Sequence, residues 1–113
     1  MTKSNMVTMV TVKASGEIVE AEVAINNLRA FQTAVGGDIQ VIPYCELFEH
    51  KDIIRKCIAL CDEEGKLKGK PVNRTATAMW HRGLAERLGA FRMDVLVGDI
   101  AFVFGDPEIM AQF

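Results

Sequence analysis

The amino-acid sequence predicts an α+β fold, in which two helices pack on a single, mainly antiparallel sheet. Segments rich in Val, Thr and Ile alternate apolar and polar residues, as strands do, and two other segments carry helix-capping residues at their ends. The predicted order is strand, strand, helix, strand, strand, helix, strand (β-β-α-β-β-α-β). Because strands and helices do not alternate strictly, this order favours antiparallel pairing over a doubly wound parallel sheet.

Length and composition fit a single globular domain over residues 1–113. Half of the 113 residues are hydrophobic and a quarter are charged, which is ordinary for a folded domain. A chain of this length buries roughly two-thirds of its unfolded surface, which is enough for a core without disulfides or metal. We expect the tail 105–113 to be able to fray, although Ile109, Met110 and Phe113 could pack.

The N-terminal part of the chain predicts a hairpin and a helix. Residues 6–12 are rich in Val and Thr, and residues 17–23 alternate apolar with acidic residues, as half-buried strands do. Asn26 or Asn27 can cap the helix that follows, and Gly36 suits its left-handed C-terminal cap. The apolar face of this helix carries Leu28, Phe31 and Val35.

The middle of the chain predicts two further strands. Residues 39–42 form the third strand, which Pro43 ends because proline cannot donate to a ladder. Residues 44–52 are expected to form a loop. Residues 54–61 form the fourth strand, and apolar side chains on both of its faces indicate a central position in the sheet.

The last predicted elements are a helix and a strand. Asn73 can cap the helix, which we expect to kink near Gly83 or to end before Gly89. Residues 95–97 and 100–104 are apolar segments separated by a Gly-Asp pair, which predicts either one bulged strand or a tight hairpin. We expect all these elements to share one core, formed by Leu28, Phe31, Val41, Ile58, Leu60, Trp80 and Phe102.

Several short motifs follow one another in a fixed order. They are Val-Gly-Gly-Asp-Ile at 35–39, Asp-Glu-Glu-Gly-Lys-Leu at 62–67, Asn-Arg at 73–74 and Asp-Val-Leu-Val-Gly-Asp at 94–99. In this order and spacing the chain resembles an uncharacterised family of small domains from bacteriophages, plasmids and bacterial genomes, the domain-of-unknown-function family 3846. The resemblance implies the fold and a mobile-element origin, and it implies no activity. Asp62 departs from the family, in which Asn is usual, and either residue suits a turn.

The polar segment between the fourth strand and the second helix is the candidate functional surface. In an extended segment, the alternation of Lys66, Lys68 and Lys70 places three ammonium groups on one side. Arg74 follows at a helix start, where free backbone N–H groups favour anions. The same pattern also fits a solvated edge strand that lysines protect against pairing. If the row is an anion site, reversing Lys68 and Lys70 to Glu is expected to leave the protein folded.

The sequence carries no clear catalytic or metal-binding signature. Gly65 and Gly69 have three residues between them where a P-loop has four, and Pro71 replaces its Ser or Thr. The cysteines and histidines lack Cys-x-x-Cys spacing, so we expect neither a metal nor a cofactor. His81 is expected to be exposed on the polar helix face. General-base work by His81 or by the acidic turn stays open, and an enzyme is the weakest alternative.

Charge and composition narrow the classes of partner. The net charge of −2 counts against a duplex-DNA binder, because phosphate contacts require a basic excess. Apolar runs are too short to span a membrane, so no membrane association is expected. Three cysteines, an odd number, fit the reducing cytoplasm, which is the location that we expect. A homodimer stays open.

We therefore predict a small non-enzymatic binding protein of phage or mobile-element type that engages a host protein. A small-anion or nucleotide-binding domain that uses residues 66–74 is one alternative. A single-stranded nucleic-acid binder is another, although few aromatic residues lie near the lysines. The predicted contact surface consists of Glu63, Lys66, Lys68, Lys70, Asn73 and Arg74.

Overall fold

The computed structural model describes residues 5–88 and 94–111, and for 84–88 the backbone only. These residues form strands β1 (Met6–Val12), β2 (Ile18–Ala24), β3 (Ile39–Val41), β4 (Leu47–His50), β5 (Ile53–Lys56), β6 (Ile58–Asp62) and β7 (Ile100–Phe104). The helices are α1 (Leu28–Val35), α2 (Arg74–Leu88) and α3 (Pro107–Met110). No helix in the described ranges is long and apolar enough to cross a membrane.

The main sheet has the strand order β2-β1-β7-β6-β3, and every neighbouring pair is antiparallel. All five residues of β7 are buried, because this central strand has a strand on either side and packed elements on both faces. The predicted α+β class with an antiparallel sheet is thus confirmed. The structure adds two elements that were not predicted, the separate β4–β5 hairpin and the short helix α3.

The sheet separates two cores, so the predicted single core is wrong. Phe31 and Leu60 pack on the face covered by α1 and α3, whereas Trp80 and Phe102 pack on the opposite face, under α2 and the β4–β5 hairpin. Strands that are apolar on both faces can bury each face against a different layer. Two further residues assigned to the core lie largely in solvent, with 52% of Leu28 and 55% of Val41 exposed.

The region from 44 to 61 differs from the prediction. The expected loop contains β4, and the expected strand 54–61 is divided into β5 and β6. Lys51 and Asp52 form the turn between β4 and β5 with φ angles of 52° and 66°. Such left-handed hairpin turns usually contain Asn, Asp or Gly, so Asp52 suits the turn and Lys51 does not indicate it. Within β6 the predicted facing of side chains is confirmed, since Leu60 and Ala59 enter opposite cores.

The predicted helix ends agree with the structure. Asn27 Oδ1 accepts a hydrogen bond from Ala30 N at 3.2 Å, and Gly36 caps the C-terminus of α1 with φ of 80°. Helix α2 continues through Gly83 to Leu88, and Gly89 lies outside the described residues.

The C-terminal region corrects a further prediction. Residues 95–97 are not part of a regular strand, and Val97 forms only an isolated bridge with Val72. The expected bulged strand or hairpin is therefore wrong, and β7 alone is the strand. In the tail, Asp106 caps α3 and Ile109 is buried against the sheet, while Phe113 lies outside the described residues.

Candidate functional site

The loop from β6 to α2 folds into consecutive tight turns. Backbone N–H groups bond back to nearby carbonyls, from Gly65 to Asp62 at 3.0 Å and from Lys68 to Glu64 at 2.9 Å. The segment is therefore not extended, and its three lysines do not form one row. Lys68 and Lys70 reach one carboxylate, and Lys66 reaches another.

The carboxylate of Asp62 is the centre of the first arrangement. Its Oδ2 accepts hydrogen bonds from Lys68 Nζ at 2.8 Å and Lys70 Nζ at 2.7 Å, and its Oδ1 accepts one from Glu64 N at 2.9 Å. Only 2% of this side chain is exposed. The hydrogen bonds from Lys68 and then Lys70 hold the pKa of Asp62 well below its usual range. The same contact raises the pKa of Lys68.

The two lysines also bind the C-terminal end of α1. Lys70 Nζ donates to Val35 O at 2.8 Å, and Lys68 Nζ lies 3.4 Å from Gly36 O. These carbonyls carry the partial negative charge of a helix C-terminus, which favours cations. A Cβ on Gly37 would lie 2.5 Å from Asp62 Oδ1, so only glycine fits there. We call Asp62, Lys68, Lys70 and the C-terminus of α1 the lysine clasp.

Asn73 is fully buried and joins three parts of the chain. Its Nδ2 donates to Val12 O at 2.7 Å and to Gly98 O at 2.9 Å. Its Oδ1 accepts from Ala76 N at 3.0 Å, which confirms the predicted cap of α2. The side chain uses both amide protons and its oxygen inside the protein, so it does not present them at the surface.

The remaining polar residues of the loop and of α2 lie nearer the surface. Lys66 Nζ forms an ion pair with the carboxylate of Asp94. His81 is half-buried, and its Nε2 donates to the backbone carbonyl of Asp94 at 2.6 Å. The prediction that His81 is exposed is therefore wrong. Arg74 is exposed on the first turn of α2. Glu63 is exposed directly after β6.

A cleft of about 330 Å³ opens beside β3, on the face of the sheet that α2 covers further along. We call it the β3 cleft. An exposed apolar side chain stands at its rim, with 86% of Leu67 in solvent. Its volume is at the lower end of the roughly 300–1,000 Å³ that ligand pockets occupy. Lining residues include Gln40, Val41, Cys61, Glu63, Lys66, Leu67, Trp80, Asp94 and Leu96.

The polar groups that line the β3 cleft include one thiol, an ion pair and a carboxylate. Burial and the nearby carboxylate of Asp62 raise the pKa of the Cys61 thiol, which keeps it protonated and poorly nucleophilic. Among the described residues, no group of three or more His, Cys, Asp or Glu side chains is arranged to hold a metal ion. The lining thus offers apolar contacts together with an ion pair and the carboxylate of Glu63.

The structure divides the predicted contact residues between different environments. Glu63 and Lys66 line the β3 cleft, Lys68 and Lys70 belong to the lysine clasp, Asn73 is buried, and Arg74 lies outside the cleft lining. Sequence reasoning missed Val41 and Leu67 as surface groups. A leucine between two lysines was the one available signal for Leu67, since such a position is rarely buried.

Comparison with known families agrees with the resemblance noted above. Residues 7–110 match the family model described as Domain of unknown function (DUF3846). The chain belongs to this family. No curated protein and no solved structure matches the chain.

Several residues of the motifs at 35–39, 62–67, 73–74 and 94–99 have structural roles here. Gly36 lies against Lys70 and Gly37 against Asp62 in the lysine clasp, and the Asn73 side chain donates to the carbonyl of Gly98. These residues stabilise the fold through contacts inside the protein. The β3 cleft lies next to them and uses other residues of the same loop, Glu63, Lys66 and Leu67.

Proposed function

We propose that this DUF3846 domain is a non-enzymatic binding protein that holds a segment of a partner protein in the β3 cleft. The observation that carries the proposal is the composition of the cleft rim. Leu67 exposes a large apolar side chain beside the charged groups of Glu63 and Lys66. Exposed apolar groups edged by polar residues are typical of protein-interaction sites.

The charges around the cleft support a protein segment over a small anion or a nucleotide. Lys68 and Lys70 already bind a carboxylate and helix carbonyls, and Lys66 is paired with Asp94. An anion would have to displace these internal partners. The neighbourhood also contains more carboxylates than ammonium groups, namely Asp38, Asp62, Glu63, Glu64 and Asp94 against Lys66, Lys68 and Lys70.

The aromatic residue of the cleft gives little support to the binding of a single-stranded nucleic acid. Base stacking needs an exposed aromatic face beside the cations. Trp80 is the aromatic residue that lines the cleft, and it is buried, with its Nε1 donating to Pro43 O at 2.9 Å. A duplex is opposed by the negative net charge.

The class of partner that we propose is a host protein in the cytoplasm. The support is the resemblance to domains from phages and plasmids, whose small proteins often act on host proteins, and this step is an analogy. The cleft geometry itself requires only a polypeptide segment with apolar side chains.

Affinity capture with matched variants tests the proposal. A cleft variant with Glu63→Lys and Leu67→Asp is compared with a control variant that makes the same changes elsewhere, Glu17→Lys and Leu28→Asp. All four side chains are exposed, so both variants are expected to fold. Captured proteins from a lysate of cells that carry the gene are compared by mass spectrometry.

We expect the cleft variant to lose partners that the wild type and the control variant both retain. Equal capture by all three proteins would show that the β3 cleft is not the binding site. A thermal-shift screen against nucleotides separates the main alternative. A nucleotide that raises Tm at concentrations near its Kd would favour the anion-binding function instead.

A further inference from the structure

The backbone groups on the outer edge of β3 point away from β6. In the β3–β6 pair, Ile42 N donates to Ala59 O at 2.9 Å and Glu63 N donates to Asp38 O at 2.8 Å. Hydrogen bonding alternates along an antiparallel pair, so Gln40 also bonds toward β6, whereas Ile39 and Val41 point their N–H and C=O groups outward. Among the described residues no strand pairs with this outer edge.

The two edges of the main sheet differ in how they are protected. By the same alternation, Glu20 and Glu22 of β2 point their backbone N–H and C=O groups away from β1. Their charged side chains discourage the addition of another strand at this edge. Residues 39–41 are Ile-Gln-Val and carry no charge. The edge of β3 therefore lacks the charged residues that commonly block strand addition.

The β3 cleft lies on the side toward which alternate side chains of an added strand would point. Gln40 lines the cleft, so a residue placed opposite Gln40 would direct its side chain into it. Two residues along the edge, Asp38 lies opposite Glu63; the Asp38 carboxylate accepts a hydrogen bond from Gln32 Nε2 of α1 at 3.3 Å, whereas Glu63 is exposed and lines the cleft. A residue placed opposite Asp38 would lie near the carboxylate of Glu63.

We infer that the partner segment binds as an extended strand added to the free edge of β3. The segment carries an apolar residue and a Lys or Arg separated by one residue. The apolar side chain enters the β3 cleft, and the cation pairs with Glu63. This inference rests on the proposed function and adds to it the conformation and the charge of the segment.

Selection of peptides from a phage-displayed library of random linear sequences tests the inference. The full chain serves as the immobilised target. Selected sequences are expected to contain an apolar residue and a basic residue two positions apart. One selected peptide is then synthesised, and its Kd is measured by calorimetry for the wild type and for single variants.

Two substitutions at one position separate backbone pairing from side-chain packing. Val41→Ala removes the side chain and keeps the outward N–H, whereas Val41→Pro also removes that N–H and spares the bonds to β6. We expect Val41→Pro to weaken binding about tenfold relative to Val41→Ala, since a backbone hydrogen bond to the peptide is lost. Leu67→Asp and Glu63→Lys are expected to weaken binding as well.

Hydrogen exchange in the wild type gives a second readout that does not depend on the folding of Val41→Pro. The peptide should slow exchange of the Ile39 and Val41 amides, which point outward. Unchanged exchange at these amides, with binding still weakened by Leu67→Asp and Glu63→Lys, would overturn strand addition and leave the cleft as the binding site. Peptide binding that is insensitive to Leu67→Asp and Glu63→Lys, or a selection that yields no binder, would contradict both the inference and the proposed function.

Discussion

The lysine clasp and the β3 cleft both use residues of the loop from β6 to α2, yet the charged groups of the clasp are bound inside the protein and those of the cleft lie near solvent. In the clasp, Lys68 and Lys70 converge on the buried carboxylate of Asp62 and on the end of α1. In the cleft, Glu63 and Lys66 stay near solvent beside the exposed side chain of Leu67. The first group of charges positions the chain, and the second is available for contact with another molecule.

The difference shows that alternation of lysines in a sequence does not define a surface. Lys66, Lys68 and Lys70 are alike in type and spacing. Their roles differ because distant segments supply their partners, the end of α1 for two of them and Asp94 for the third. Substitutions test this difference: those in the lysine clasp should lower the stability of the protein, and those in the β3 cleft should weaken binding.

The largest stability effect is expected at Asn73, the residue that closes the loop. Asn73→Ala should lower the free energy of unfolding by about 3 kcal/mol, since two buried carbonyls lose their donor and α2 loses its cap. Urea denaturation measures this loss. Asn73→Asp keeps the capping oxygen but sets a buried carboxylate against the carbonyls of Val12 and Gly98, so its loss should be at least as large.

Asp62→Asn should have the next largest effect. The substitution keeps the size of the side chain and removes the charge that the two lysines surround, at a cost of about 2 kcal/mol in unfolding free energy. The same denaturation experiment applies. An unfolding free energy equal to that of the wild type would mean that the clasp contributes no net stability.

Acid should weaken the protein through Asp62. Its pKa is lowered in the folded state and is near 4 in the unfolded chain, so the unfolded state binds the proton more readily. The contribution to stability is complete above about pH 4 and is lost as the pH falls further toward the folded pKa. Denaturation at a series of pH values should show this slope. Asp62→Asn should reduce the slope without removing it, because hydrogen bonding to His50 also lowers the pKa of Glu20.

The smallest stability effects are expected in the cleft. Lys66→Ala and Leu67→Asp should each change the free energy of unfolding by less than about 0.5–1 kcal/mol, since both side chains are exposed. Thermal denaturation checks this expectation. A large loss at either position would place the cleft rim, like the clasp, among the structural parts of the loop.

Much of the fold was predictable because it depends on local patterns. Alternating residues identified the first hairpin, Asn27 and Gly36 identified the ends of α1, and Asn73 identified the start of α2. The β4–β5 turn was missed because Lys51, which adopts a left-handed conformation, is not a typical turn residue, and Asp52 alone is a weak signal.

The candidate site was less predictable, because it depends on contacts between distant segments. Val41 was expected in the core, yet β3 is an edge strand and leaves this side chain in solvent. The buried state of Asp62 follows from the approach of Gly37, which no pattern near residue 62 reveals. Glu63 and Lys66 were predicted as contact residues from their position in a polar turn, and in the structure both line the cleft.

The central claim is that the lysine clasp is structural and the cleft is the contact surface. Its most direct test is the free energy of unfolding of two charge reversals, Lys70→Glu and Lys66→Glu, measured side by side by urea denaturation. Lys70→Glu places a second carboxylate against Asp62 and the α1 carbonyls, so it should cost about 2 kcal/mol more than Lys66→Glu at the exposed ion pair. Equal and small losses, each below about 0.5 kcal/mol, would contradict the account and return all three lysines to one surface.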